Sequence, residues 1–298
     1  MRHLVSLRDM DRAQLDELMK FAYRVKEKQR MGEEFKPLKG KTVITSFPST
    51  SLRTRISFET GIFQLGANAI NMEINFEGKE PLEDKVGYLN CWIDYLVIRY
   101  KKEKIIREIS EKAEFHVVNA MSRESHPCEI LSDLMTLNEI KGRLQDQKIV
   151  FVGEGANISN TWFEAAAKLD LNLTQICPEG YEISDDLFKY ARDNSNGEIV
   201  VTNDFEKGIK NADIILTDGW PPSENGESIP EIFLPYQLTL DKLKSCSKGY
   251  IVNPCPPFTR GNEVSEEIIN SDRFIGYKGK ENLLHMQKAI LGILNFGH

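Results

Sequence analysis

The sequence predicts an α/β protein built from two doubly wound parallel-sheet domains joined by helices. Three observations predict it. The chain has 298 residues and a mass of 34.1 kDa, room for two domains of ordinary size. Short apolar runs such as Tyr95-Leu96-Val97-Ile98 and Ile149-Val150-Phe151-Val152 alternate with helical patterns. That alternation is the pattern of a parallel sheet covered on both faces. The polar stretch Leu144-Gln145-Asp146-Gln147-Lys148 then restarts it, which places a domain boundary near residue 144.

Residues 5–30 read as one or two helices, with Ser6 as a cap and Met10, Leu15, Leu18, Met19, Ala22 and Val25 as the apolar stripe. Lys39-Gly40-Lys41 turns into a strand from Thr42 to Phe47. After the turn Pro48-Ser49-Thr50-Ser51, a helix begins, with Ile56 and Phe63 on one line and Phe58, Ile62 and Leu65 beside it. A short strand spans Ala69 to Ile74, and Glu77-Gly78-Lys79-Glu80-Pro81 reads as a charged, mobile loop. Lys85 to Cys91 reads as helix. The strand at 95–98 ends in Arg99, and a strand from Phe115 to Val118 leads through Asn119 to Ser125-His126-Pro127-Cys128-Glu129. Ile130, Leu131, Leu134 and Leu137 mark the helix that follows.

The second half repeats the plan without any fixed-period repeat. Strand 149–152 is followed by Gly153-Glu154-Gly155-Ala156-Asn157, a helix from Trp162 to Leu169 and a strand from Leu173 to Cys177. Val200-Val201, Ile214-Ile215-Leu216 and Tyr250-Ile251-Val252-Asn253 add strands. The last two run into Thr217-Asp218-Gly219-Trp220 and Pro254-Cys255-Pro256-Pro257. Residues 282–295 close the chain as a helix with Leu283, Met286, Ala289, Ile290 and Ile293 on one side.

Composition narrows the function. A net charge of -7 argues against nucleic acid as a partner but leaves room for a locally positive pocket. The five cysteines are scattered and form no C-x-x-C pair, which suits a reducing compartment rather than a disulfide or zinc framework. Charges at Arg2, Arg8, Asp9 and Asp11 break any signal-peptide core, and no apolar run approaches membrane-spanning length, so a cytoplasmic location is expected. The five histidines include no H-E-x-x-H and no i, i+4 pair, so no metal site is expected.

Five features invite a chemical reading. Phe47 to Glu59 is a strand, a hydroxyl-rich turn and a helix start with Ser51, Arg53, Thr54 and Arg55. A helix N-terminus offers unpaired N–H groups and the positive end of the dipole, so this is either an anion site or an ordinary capped helix with solvated arginines. Arg99 lies at a strand's C-terminal end, where open α/β sheets bind ligands. His126, held extended by Pro127, reads by itself as a buried histidine satisfying a helix start. Gly153-x-Gly155 lacks the third glycine of a dinucleotide fingerprint, with Ile158 in its place, and Cys255 alone reads as a small buried hydrophobe.

Taken together, these residues resemble the aspartate and ornithine carbamoyltransferases. Ser51-Leu52-Arg53-Thr54-Arg55 with Ser57-Phe58-Glu59 is similar to that family's S-T-R-T-R-x-S-F-E, and His126-Pro127-Cys128-Glu129 to its H-P-C-Q. Val97-Ile98-Arg99 resembles its strand-end arginine. Glu281-Asn282-Leu283-Leu284-His285-Met286-Gln287-Lys288-Ala289 is similar to the E-N-R-L-H-x-Q-K-A of the ornithine branch. The flanks Leu38-Lys39-Gly40-Lys41 and Gln64-Leu65-Gly66, and Pro235-Tyr236-Gln237, match as well.

The resemblance implies a carbamoyl phosphate domain over 1–143, completed by the helix 281–298, and an amino-acid domain over 144–280. Ser51, Leu52, Arg53, Thr54, Arg99, His126 and Glu129 are then expected to bind carbamoyl phosphate, with Arg53, Thr54, Arg99 and His126 catalytic. Asn157, Asp218, Cys255 and Pro256 are expected to bind the amino acid. It implies no metal and no organic cofactor, and a homotrimer in which the loop Gly78 to Lys85 serves a neighbouring subunit's site.

Several positions depart from the pattern. Leu52 replaces a threonine, Pro81 a serine, and Glu129 a glutamine whose loss brings negative charge toward an anion unless an Arg or Lys compensates. Pro221-Pro222-Ser223 replaces S-M-G, and Pro254-Cys255-Pro256-Pro257 replaces H-C-L-P. An ornithine-like acceptor is expected. A modified ornithine, a diamine or a biosynthetic amino acid is the alternative, as is a non-catalytic relative that kept the fold.

Overall fold

The computed structural model describes residues 1–221 and 231–296, so Pro222-Ser223 of the altered loop lies outside the described residues. The chain forms two compact units, Met1–Met135 with Lys280–His298, and Thr136–Gly279. Each is an all-parallel sheet flanked by helices.

In the first unit, Ser6 accepts a backbone hydrogen bond at a single 3-10 turn, Leu7–Asp9, and Asp11 caps helix α1 (Arg12–Arg30). Strand β1 (Thr42–Ser46) leads into α2 (Arg53–Gln64), then β2 (Asn68–Asn71), α3 (Leu82–Asn90) and β3 (Tyr95–Arg99). Helix α4 (Glu103–Lys112), strand β4 (His116–Met121) and helix α5 (Pro127–Lys141) follow. The sheet order is β2-β1-β3-β4. Continuous burial along β3 fits its central place, whereas every residue of the edge strand β2 is exposed. Residues 2–5 run along the outer edge of β4, where Leu4 N donates to Val117 O at 2.9 Å and Asn119 N to Leu4 O at 2.7 Å. One core layer gathers Ile44, Leu96, Ile98, Ile106, Ile109 and Val117.

The second unit carries β5 (Lys148–Val152), α6 (Asn157–Leu169), β6 (Asn172–Ile176), α7 (Asp185–Asp193), β7 (Ile199–Thr202), α8 (Phe205–Ile209) and β8 (Ile214–Thr217). Strand β9 (Ile251–Pro254), α9 (Glu266–Ile269) and α10 (Gly276–Phe296) complete the chain, α10 re-entering the first unit at Lys280. The sheet order is β7-β6-β5-β8-β9.

Within the first unit, α10 is anchored by polar side chains as well as by apolar packing. Buried Lys26 donates to Asn282 Oδ1 at 2.7 Å, Lys288 to Gln29 and Gln64, and Tyr95 to the Leu291 carbonyl at 3.1 Å. Helices α4, α7, α8 and α9 are not in the sequence reading. Their charge hides short apolar stripes, such as Ile106 and Ile109 or Leu187 and Ala191. Helix α2 also departs from expectation: Phe58 and Ile62 are buried, but Ile56 is 56% and Phe63 80% exposed.

Candidate active site

Both sheets have a point where the winding reverses, between β1 and β3 in the first and between β5 and β8 in the second. Loops leaving adjacent strands on either side of such a point diverge and open a crevice at the carboxyl ends. Ser51 to Thr54 follow β1, and Arg99 ends β3. In the second unit Asn157 follows β5, and Asp218 follows β8. Ser51 to Thr54 and Arg99 thus lie at the first sheet's switch point, and Asn157 and Asp218 at the second's, whereas His126 and Glu129 follow β4 and Cys255 and Pro256 follow β9.

The start of α2 is not a conventional cap. Leu52 occupies the cap position with no side-chain hydrogen bond, and its own side chain is 62% exposed, leaving only its backbone to serve a ligand. Ser51 is turned back by its N–H, which donates to Pro48 O at 3.0 Å. Its Oγ is buried without a partner among the described residues. A buried hydroxyl beside uncapped N–H groups suits an anion better than a self-satisfied helix start. Thr54 is buried beside it, while Arg53 is exposed.

Arg99 sits at an irregularity. Ile98 pairs with Asn119, but Arg99 pairs with Met121, so the ladder slips by one residue there. Such a slip bends the strand and re-aims the side chain. His126 precedes Pro127, the first residue of α5, and is 5% exposed. Its loop is held by Asn119, which donates to Val5 O and Ser125 Oγ, and by Ser125, which donates to Glu103 Oε2 at 2.5 Å. Burial, then the Arg99 guanidinium and the Lys280 ammonium, draw the His126 pKa down to about 3. The imidazole is therefore neutral near pH 7, with one N–H to donate.

Glu129, in the first turn of α5 and 4% exposed, forms an ion pair with Lys280, whose side chain is 18% exposed. Lys280 is the compensating cation that a carboxylate at this position requires. Burial and then Arg53 draw the Lys280 ammonium down to about 7, whereas the adjoining carboxylate favours its charge. Arg53, Arg99, His126, Glu129 and Lys280 therefore form one electrostatic neighbourhood. The sequence reading does not name Lys280, which lies 151 residues from Glu129. Its only signal is the need for a countercharge.

In the second unit Asn157 opens α6, half-buried, behind a turn in which Ala156 N donates to Ser159 Oγ at 2.8 Å. Gly155 is not a phosphate cradle. Its N–H donates to Tyr181 O at 2.7 Å, and a Cβ there would lie 2.3 Å from Glu182 O. The loops after β8 and β9 are bound together. Cys255 N donates to Thr217 O at 2.7 Å, and Gly219 has Pro257 O where a Cβ would be, 2.6 Å away. Buried Glu263 accepts from Trp220 N at 2.8 Å and Thr259 N at 2.7 Å, a brace the sequence reading does not name. Asp218, Cys255 and Pro256 are brought together on these loops, and Asn157 stands across the switch point from Asp218.

Among the described residues, no group of three His, Cys, Asp or Glu side chains is arranged to hold a metal, and no helix is long and apolar enough to cross a membrane. Fold and site define a two-unit α/β protein with a cluster of cationic and hydroxyl side chains at the carboxyl end of the first sheet.

Residues 2–139 match the carbamoyl-P binding domain of aspartate/ornithine carbamoyltransferases, and residues 145–294 the Asp/Orn binding domain. The ornithine carbamoyltransferase of Chlorobaculum tepidum is 35% identical over 300 residues, 97% of this chain and 88% of that protein. That of Thermococcus kodakarensis is 33% identical over 305 residues, 99% of this chain and 97% of the relative. The solved ornithine carbamoyltransferase from Pyrococcus furiosus superposes with a TM-score of 0.96 at 31% identity, covering 100% of this chain and 98% of that one. The chain belongs to the aspartate/ornithine carbamoyltransferase family and is a carbamoyltransferase.

Proposed function

We propose that this enzyme moves the carbamoyl group of carbamoyl phosphate to the side-chain amine of an ornithine-like amino acid, releasing phosphate. The first unit is the carbamoyl phosphate domain and the second the amino-acid domain. Ser51, Arg53, Thr54 and the N–H groups at Leu52 and the start of α2 hold the phosphate. Arg99, His126 and Thr54 donate to the carbonyl oxygen, and Glu129 accepts from the carbamoyl N–H. The uncharged amine attacks the carbonyl carbon, and a C–N bond forms as the C–O bond to phosphate breaks. The bond's electron pair leaves with phosphate, and the amine's proton passes to the departing phosphate. Asn157 takes the acceptor's α-carboxylate and Asp218 its α-amino group, while Cys255 and Pro256 border the reacting amine.

The observation that carries this reading is His126, buried and neutral beside Arg99. A neutral imidazole donates to a developing oxyanion without competing for the proton of the attacking amine. The family match and the ornithine carbamoyltransferase names of the relatives support the acceptor class. The test is product mass from carbamoyl phosphate and an amine panel containing ornithine. Carbamoylated ornithine formed fastest supports the reading, and turnover with other amines but not ornithine overturns its acceptor.

One observation favours a second reading, a different amine such as a modified ornithine or a diamine. Pro254, Pro256 and Pro257 surround Cys255 where the family pattern is H-C-L-P, and Pro221 stands in the altered loop. The same panel separates the two. We further propose a homotrimer acting in the cytoplasm, with the loop Gly78 to Lys85 lent to a neighbouring site. Exposed Ile70, Met72, Tyr88 and Trp92 are apolar groups that such an interface would cover, and none of the five cysteines is in a disulfide. Sedimentation of a monomer would remove the trimer.

A further inference from the structure

Helix α10 re-enters the first unit at Lys280, with its ammonium against the Glu129 carboxylate and near enough to Arg53 and His126 to act on both electrostatically. Arg53 leads α2 and His126 precedes α5, so Lys280 joins this cluster from a third element. The E-N-R-L-H pattern has an arginine where this chain has Leu283, and Leu283 is 2% exposed in the apolar core. The cation nearest to it on the same helix is three residues earlier, at Lys280.

We propose that Lys280 is a further substrate-contacting residue of this enzyme, donating to the phosphate of the carbamoyl donor, and that Glu129, besides accepting from the carbamoyl N–H, holds the Lys280 side chain in place. The proposal rests on the carbamoyl phosphate reading above and extends it to a residue outside the expected set.

Charge balance favours this role. A cluster of Arg53, Arg99 and Lys280 would repel itself in an empty pocket, and a buried ammonium needs a counterion. Glu129 supplies it when no ligand is present. A bound phosphate, with its own negative charge and several acceptor oxygens, then offers Lys280 a second partner at the same site. Lysine suits that exchange because three donors turn about a flexible stem. Burial disfavours the ammonium, so a second anionic partner favours its charged form.

Calorimetric titration of the full-length protein with inorganic phosphate tests this, alongside steady-state kinetics in carbamoyl phosphate. Lys280→Met should weaken phosphate at least about tenfold, and should raise KM for carbamoyl phosphate more than it lowers kcat. Lys280→Arg should stay within about threefold of the parent, because it restores charge and donors. Glu129→Gln combined with Lys280→Met should recover part of the loss, since the lone variant leaves an uncompensated carboxylate facing the anion. Should Lys280→Met fail to fold, the arginine and double variants decide. Phosphate affinity unchanged in Lys280→Met, or no recovery in the double variant, overturns the proposal. Binding that is lost in Arg53→Ala yet intact in Lys280→Met sinks this proposal alone. A folded parent that binds no phosphate removes the carbamoyl phosphate reading and this proposal with it.

Discussion

Arg55 donates from Nε to Glu59 Oε1 at 3.0 Å, one turn further along α2. The same carboxylate oxygen accepts from Asn71 at 2.7 Å and from Thr45 at 3.3 Å. Two arginines that look alike in the sequence are thus divided between tasks: Arg55 ties α2 to β1 and the end of β2, while Arg53 is the one near Lys280. Arg55→Ala should leave phosphate affinity nearly unchanged, as partly exposed pairs contribute about 0–1 kcal/mol. Arg53→Ala should weaken it by about tenfold to a hundredfold. Equal losses in a phosphate titration would merge the two roles.

In the proposed reaction Arg99 has a different part, donating chiefly as charge develops on the carbonyl oxygen. Arg99→Ala should lower turnover by at least about a hundredfold, with a smaller change in KM. Its thermal midpoint should stay near that of the parent, because the side chain is half-buried at a strand end and not in the apolar core. Near-parental turnover in a folded variant excludes Arg99 from the chemistry.

Three histidines are held below the ordinary imidazole pKa, with burial the first cause in each: His126 at about 3, His285 and His3 at about 4. On acidification the unfolded chain takes up these protons before the folded one does. Their contribution is intact above pH 6.5, the unfolded value, and is withdrawn as pH falls toward 4 and then 3. The thermal midpoint should therefore drop across that window, and His285→Asn should flatten the drop. Imidazole NMR signals of His126 should still report the neutral ring at about pH 5. A ring titrating near the ordinary value would overturn the neutral-donor role.

Glu263 holds two backbone N–H groups from separate loops. Glu263→Ala strands both, at a cost of about 1–3 kcal/mol for each group left buried. The loops it braces carry Asp218, Cys255 and Pro256, so KM for the amino acid should rise while phosphate affinity holds. A variant with both parameters unchanged would show that the loops keep their places unaided.

Thiol chemistry offers an independent check on burial. Cys128 is buried and its thiol is pushed up by desolvation, Cys177 to about 12 and Cys246 to about 11 for the same first cause. Cys91 is exposed. Alkylation followed by mass spectrometry should mark Cys91 first and leave Cys128 and Cys177 until the protein is denatured. Early labelling of Cys128 would contradict the packing at the start of α5.

Much of this architecture is legible in the sequence because parallel strands buried on both faces read as unbroken apolar runs. Tyr95 to Ile98 and Ile149 to Val152 stand out for that reason, and both are central strands. Edges and connections are less legible. The strand expected at Ala69 to Ile74 is Asn68–Asn71, since an exposed edge needs no apolar run to mark its end. Helices α7 and α8 bury only two residues each, too few for a visible period. Side chains that meet across long separations are not legible at all. The chain declares an acid at Glu129 that needs a countercharge, but only three-dimensional packing brings Lys280 to it. The uncapped start of α2 is likewise invisible, because Ser51 has the chemistry of a cap and its backbone does not let it serve as one.

Gly155 holds a lesson for reading other doubly wound chains. Its missing side chain makes way for a neighbouring peptide, and its amide hydrogen is already engaged by a carbonyl of the adjoining turn. A paired-glycine fingerprint after a strand can therefore persist for reasons of main-chain clearance, with no nucleotide ever passing by. Asking whether the second amide is spoken for would sort vestigial-looking fingerprints from working ones before any ligand is tried.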